Sequence, residues 1–217
     1  MHKKKAGIAF VGMGAVLILS ALLLFLYNEG QNAKMEQAYQ GVYAELNRLI
    51  AQQKTEREAE NQSPLTSSEV PPEADPSAAP ETEPAMTIAT LDGQNYIGIL
   101  EIPALELALP ILADWDDEKL DIAPCRHFGS AASDDLVIAG HNYRRHFLYL
   151  YKLAAGDGIR FTDMTGTVHQ YTVAEKRTLD ATAVDTVLES EYDLILYTCT
   201  YSGKERTAVF CSRDSAE

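Results

Sequence analysis

From residue 91 to its end the chain predicts a mostly β domain, a sandwich or closed barrel of short strands. Three observations predict it. Apolar and β-branched runs recur at short intervals, Tyr96–Ile102, Leu105–Leu112, Leu136–His141, Gly158–Thr162, Thr167–Ala174, Asp193–Thr198 and Thr207–Arg213, with a shorter one near Arg126–Gly129. Turn formers separate them: Pro103, then Ala155-Gly156-Asp157-Gly158, then Asp163-Met164-Thr165-Gly166. The folded part, starting near Tyr96, holds about 120 residues, the size of one compact domain. Short helices are expected at Asp116–Asp121, at Phe147–Leu153 and at Val184–Leu188 in the connection to the Asp193 strand.

The residues before this domain divide by composition. Residues 1–5 contain Lys3, Lys4 and Lys5, and Ala6–Tyr27 is then a run of 22 residues without a charge. As a helix it would extend about 33 Å, enough for a hydrocarbon core of about 30 Å. It is too long for a signal-peptide core and lacks a clear small-residue cleavage site, so 6–27 is expected to stay as a transmembrane anchor. Lysines before it and Glu29 after it place the N-terminus in the cytoplasm and the rest outside the cell membrane. Residues 28–60 are good helix formers with Met35, Ala38, Val42, Leu46, Leu49 and Ile50 at spacings of three and four, which predicts an amphipathic helical stalk. Residues 61–90 carry Pro64, Pro71, Pro72, Pro76, Pro80 and Pro84 among Ser, Thr, Ala and Glu, the composition of a disordered, semi-rigid linker.

Charge excludes one class of partner. The chain has 18 basic and 32 acidic residues, and without the three N-terminal lysines the net charge reaches −17. Such a field repels phosphate backbones, so nucleic acid is not expected. Most of these acids read as a solvated surface, Asp114, Asp116, Asp117 and Glu118 included. The histidines His127, His146 and His169 have no metal-site spacing, so no metal is expected.

Two runs carry the candidate chemistry. Leu194-Ile195-Leu196-Tyr197-Thr198 reads as a buried strand ending on Cys199, with Arg206 seven residues on; Leu136-Val137-Ile138-Ala139-Gly140 reads as a second, delivering His141 and Asn142 at its exit. A thiol becomes nucleophilic as a thiolate, and imidazolium or guanidinium nearby favours that form. Singly, a cysteine is often a small core hydrophobe and an arginine a solvated charge. Their order and strand contexts together argue for catalysis, and His before Cys is the reverse of the papain-type order.

On these residues the chain resembles the sortases, membrane-anchored cysteine transpeptidases. Their TLxTC signature aligns with Ile195-Leu196-Tyr197-Thr198-Cys199, with Ile195 for the leading Thr; their histidine aligns with His141 and their arginine with Arg206, over roughly Tyr96–Arg213. The resemblance implies an eight-stranded β-barrel as the catalytic domain, 91–217. It implies Cys199 as nucleophile, His141 as general acid and base, and Arg206 as oxyanion or substrate stabiliser, with Thr198 and Asn142 as substrate-binding candidates. No cofactor is implied, although calcium modulates some class A relatives through barrel loops. The partners implied are surface proteins with a C-terminal sorting signal and an amine from a cell-wall peptide or pilin lysine. The short connection before Asp193 and the absence of an Asp-Pro-aromatic lid before Tyr96 resemble class A, D or E rather than class B or lidded class C. The competing readings are a non-catalytic membrane-anchored scaffold and an L,D-transpeptidase-like enzyme, although the latter's Ser-x-Gly-Cys-x-Arg motif has no counterpart at Cys199. Cys199 must be free for catalysis; a Cys125–Cys211 disulfide is one possibility, two packed thiols the expected one.

Overall fold

The computed structural model describes residues 2–61, 86–183, 186–187 and 190–215. Most of the expected linker and most of the expected Val184–Leu188 helix lie outside these residues. Two compact units are distinguished, Met1–Val42 and Tyr43–Glu217. Helix α1, His2–Asn61, makes up the first and enters the second. In the first unit Met13, Leu17, Ile18, Leu19, Leu22 and Leu23 are exposed. Among the described residues no helix is long and apolar enough to cross a membrane. The anchor expected over 6–27 depends on side chains that lie largely outside those described.

The second unit is built on strands β1 (Ala89–Leu91), β2 (Gln94–Ile102), β3 (Leu107–Leu112), β4 (Cys125–Phe128), β5 (Leu136–Ala139), β6 (Gly158–Asp163), β7 (Val168–Asp180), β8 (Leu194–Cys199) and β9 (Glu205–Arg213), with a short helix α2 at Asp117–Leu120. They lie in the order β1-β2-β3-β4-β5-β8-β9-β7-β6, and β6 pairs back onto β2. Strands β2 to β9 therefore close an eight-stranded barrel, as expected, and closure leaves no free edge among them. The ninth strand, β1, is a short addition the sequence reading passed over. It turns into β2 at Asp92-Gly93, both at positive φ (51° and 77°), the conformation of a tight hairpin turn that favours glycine.

Parallel pairing decides which strands are buried on both sides. β5 lies parallel to β8 with Leu136 opposite Leu194 and Ala139 opposite Tyr197, and every residue of β5 is buried. Side chains alternate along β8, so Leu194, Leu196 and Thr198 share one face and Ile195, Tyr197 and Cys199 the other. The second face carries a cluster of Val137, Ile195, Ala208 and Phe210, covered by Leu179, Val187 and Tyr192 from the end of β7 and its connection to β8.

Three expectations change. β7 runs on to Asp180 because its polar second half, Glu175–Asp180, pairs with β9 after a bulge between Val173 and Glu175. The helix expected at Phe147–Leu153 is reduced to a single 3₁₀ turn, Leu150–Lys152. The stalk expectation gives way, from Tyr43 on, to a helix packed on the barrel. Leu46 and Ile50 are buried there, and the Ile50 and Lys54 turn lies against Gly166 in the β6–β7 turn. Arg57 adds hydrogen bonds to the Thr165 carbonyl (3.3 Å) and the Thr167 hydroxyl (3.4 Å).

Candidate active site

Three strand ends meet at one edge of the barrel. β8 and β9 are antiparallel with Cys199 directly opposite Arg206, so both side chains leave the sheet on the same face. The turn between them is held by Thr200 N–H donating to the Glu205 carbonyl (2.9 Å) and Gly203 N–H to the Thr200 carbonyl (2.9 Å). On the other side of β8, the parallel register continues through Gly140 N–H to the Tyr197 carbonyl (3.1 Å), which brings His141 level with Cys199. A cleft of about 360 Å³ takes in His141, Cys199 and Arg206 together with Trp115, His127 and Tyr197.

Glycine at position 140 is a steric requirement. A Cβ there would stand 2.6 Å from the Phe147 ring, while Phe147 N–H donates to the His141 carbonyl (3.0 Å). Phe147 thus closes the backbone around His141. The imidazole of His141 has Nε2 3.1 Å from Asp121 Oδ1. Its ring lies 4.6 Å from that of Tyr143 and is stacked 6.1 Å from that of His146. Burial, reinforced by neighbouring His141, pushes the His146 pKa down to about 4, so this second imidazole is neutral.

Arg206 donates to the carbonyls of Gly203 (3.2 Å) and Glu205 (3.1 Å), which tethers the guanidinium to its own turn beside the cleft. Arg213 lies at the far end of β9, beyond the Leu194–Cys211 pair. It pairs there with Asp134 (2.7 Å) and donates to the Tyr171 hydroxyl (3.2 Å), the work of a structural residue.

The three thiols are unbonded and differ in kind. Burial pushes Cys125 and Cys211 each up to about 12, whereas Cys199 is partly exposed at the cleft. Reactivity follows access and thiolate character, so only Cys199 suits a nucleophile. Thr198 lines the cleft but is buried, and Asn142 is not among the lining residues. Among the described residues no three His, Cys, Asp or Glu side chains gather as a metal site. In the acidic stretch Lys119 pairs with Asp116 (3.1 Å) and reaches Asp114 (3.7 Å).

Two features escaped the sequence reading. The Tyr197 hydroxyl lies 2.9 Å from Nδ1 of His127, whose ring is 5.3 Å from that of Trp115. The period of two that puts Tyr197 on the face of Cys199 was its available signal. Asp121 had none, since only the folded chain brings α2 beside His141.

A family model described as Sortase domain matches residues 100–214. No curated protein matches the chain. Among solved structures, sortase D5 transpeptidase from Clostridium perfringens is similar at 22% identity and TM-score 0.50, covering 55% of this chain and 79% of that one. Sortase C1 from Streptococcus agalactiae is similar at 23% identity and TM-score 0.51, covering 59% of this chain and 72% of that one. At these identities the likeness is one of fold.

Proposed function

The chain belongs to the sortase family, and from that premise we propose that it is a membrane-anchored transpeptidase using Cys199, His141 and Arg206. The observation that carries the reading is the register that sets Cys199 opposite Arg206, with His141 level on the parallel neighbour. The Cys199 thiolate attacks the carbonyl carbon of a peptide bond in a sorting signal, forming a C–S bond and an oxyanion. Arg206 holds that oxyanion with donors that never lose their charge. His141 as imidazolium protonates the departing amine nitrogen, the C–N bond breaks, and a thioacyl enzyme is left. An amine of the acceptor then attacks the thioester, yields its proton to the now neutral His141, and expels the thiolate. Each step uses these side chains alone.

The substrates in this reading are surface proteins with a C-terminal sorting signal and an amine from a cell-wall peptide or a pilin. The uncharged run 6–27, the lysines before it and the exposed apolar side chains from Met13 to Leu23 support an anchor with the barrel outside the cell. The test is transfer: the full chain in detergent is given a panel of sorting-signal peptides with and without an added amine. The peptide–amine product, absent in Cys199→Ala, is the expected result. Hydrolysis without transfer, or activity retained in Cys199→Ala, contradicts it.

A further inference from the structure

We infer that Asp121 is a positioning residue for His141: its carboxylate holds Nε2–H and so assigns the working proton of the proposed transfer to Nδ1. The observation is the 3.1 Å approach of Asp121 Oδ1 to His141 Nε2. This inference rests on the transpeptidase reading for its catalytic consequence, but the contact does not.

The carboxylate is placed by structure on both sides of it. Asp116 accepts from the Lys119 N–H (2.7 Å) and starts α2, and Asp121 ends it. Beyond Asp121, Ile122 and Ala123 donate to the Lys119 carbonyl at 2.9 and 3.1 Å, and Leu112 N–H is tied to the Pro124 carbonyl at 2.9 Å. Cys125 then opens β4 opposite Ala139 of β5, the strand that delivers His141. The α2 end and the His141 loop are thus two arms of one piece of sheet.

An imidazole has two nitrogens, and the hydrogen bond made by one decides the state of the other. With Nε2–H donated to Asp121, neutral His141 presents Nδ1 as the acceptor for the proton of the incoming amine. In the forward step the same Nδ1 carries the proton given to the leaving amine. Asp121 gains and loses no proton in either direction. The neutral His146 ring and Tyr143 lie beside the imidazole, so the carboxylate supplies what those neighbours lack: a negative acceptor. The side chain of Asp121 is 70% exposed against 28% for His141, so solvent screens the charge. Its loss should therefore cost far less than the roughly 10⁴-fold fall seen when the buried aspartate of a serine-protease triad is neutralised.

The experiment compares Asp121→Ala, Asp121→Asn and Asp121→Glu in the full chain in detergent. Peptide-to-amine transfer gives kcat and KM, and long-range ¹H–¹⁵N spectra, recorded above the ordinary imidazole titration range, give the His141 tautomer, with His141→Gln as the assignment control. Expected are a wild-type Nε2–H tautomer and an Asp121→Ala chain with kcat down about tenfold, KM within about twofold and a mixed tautomer. Asp121→Glu should recover most of the turnover. A kcat within about twofold of wild type in Asp121→Ala, or the same tautomer with and without the carboxylate, overturns the inference. If Asp121→Ala does not fold, Asp121→Asn, of the same shape without the charge, is judged by the same two readouts. If the wild type transfers no peptide, the transpeptidase reading fails, and the tautomer comparison alone decides whether Asp121 positions the ring.

Discussion

Arg206 and Arg213 are seven residues apart on one strand, and the β8–β9 register gives them different work. Arg206 faces Cys199, whereas Arg213 is occupied with Asp134 and Tyr171 at the opposite end. Arg206→Ala should lower turnover by a factor of about a hundred or more, the scale of one lost oxyanion donor, in a chain that still folds. Arg213→Ala should lower the melting temperature and leave turnover within a few-fold. The reverse pattern would exchange their roles. His146 supplies a pH test. Buried, with His141 and Asp121 as the titratable neighbours that act on it in opposite directions, it binds fewer protons in the folded chain than in the unfolded one between about pH 4 and 6.5. Its contribution is therefore complete above that window and is lost as pH falls through it, by as much as ~3 kcal/mol. Denaturant unfolding at pH 7 and pH 4.5 should show a smaller pH difference in His146→Gln than in wild type; an equal difference would refute the assignment. Cys199, His141 and Arg206 were legible because each sits at a strand end that short-range pattern reveals. Asp121 and His127 were not, because their partners are distant in sequence and no local spacing encodes the meeting.

At the level of elements, hydrophobic periodicity found seven of the barrel's strands and a shorter run marked β4, since alternation or a continuous apolar run is visible wherever a strand is buried on one or both faces. It fell short where pairing, not composition, makes the strand: the polar half of β7 is extended because β9 lies beside it. β1 escaped for a different reason, being only a short hairpin partner whose Asp92-Gly93 turn was the stronger signal. The helix is the instructive case. The spacing of Leu46 and Ile50 predicts one face of a stalk, and the same face packs on the barrel because apolar periodicity states that a face will be covered and not by what. Leu46→Ala should cost about 2 kcal/mol or more, a fall of several degrees in melting temperature for a unit of this size. An unchanged melting temperature would mean that the helix stands away from the barrel.

For the whole molecule, the anchor proposed over 6–27, with the lysines before it, makes a prediction about where the chain is held. The full chain should fractionate with membranes and resist extraction by high salt, because an apolar anchor, unlike a charged one, is not screened. Recovery of a soluble chain beginning near Asn32 would show that 6–27 is removed. The central claim, that Cys199 is the nucleophile of an acyl-transfer site shared with His141 and Arg206, has a direct measurement. The full chain in detergent is mixed with a sorting-signal peptide in the absence of acceptor amine, quenched in acid, and mapped by mass spectrometry. The account predicts an acyl adduct on Cys199 that disappears when amine is added and does not form in His141→Ala at a comparable rate. An adduct on Cys125 or Cys211, or peptide turnover in a chain whose Cys199 is replaced by Ala, would contradict it.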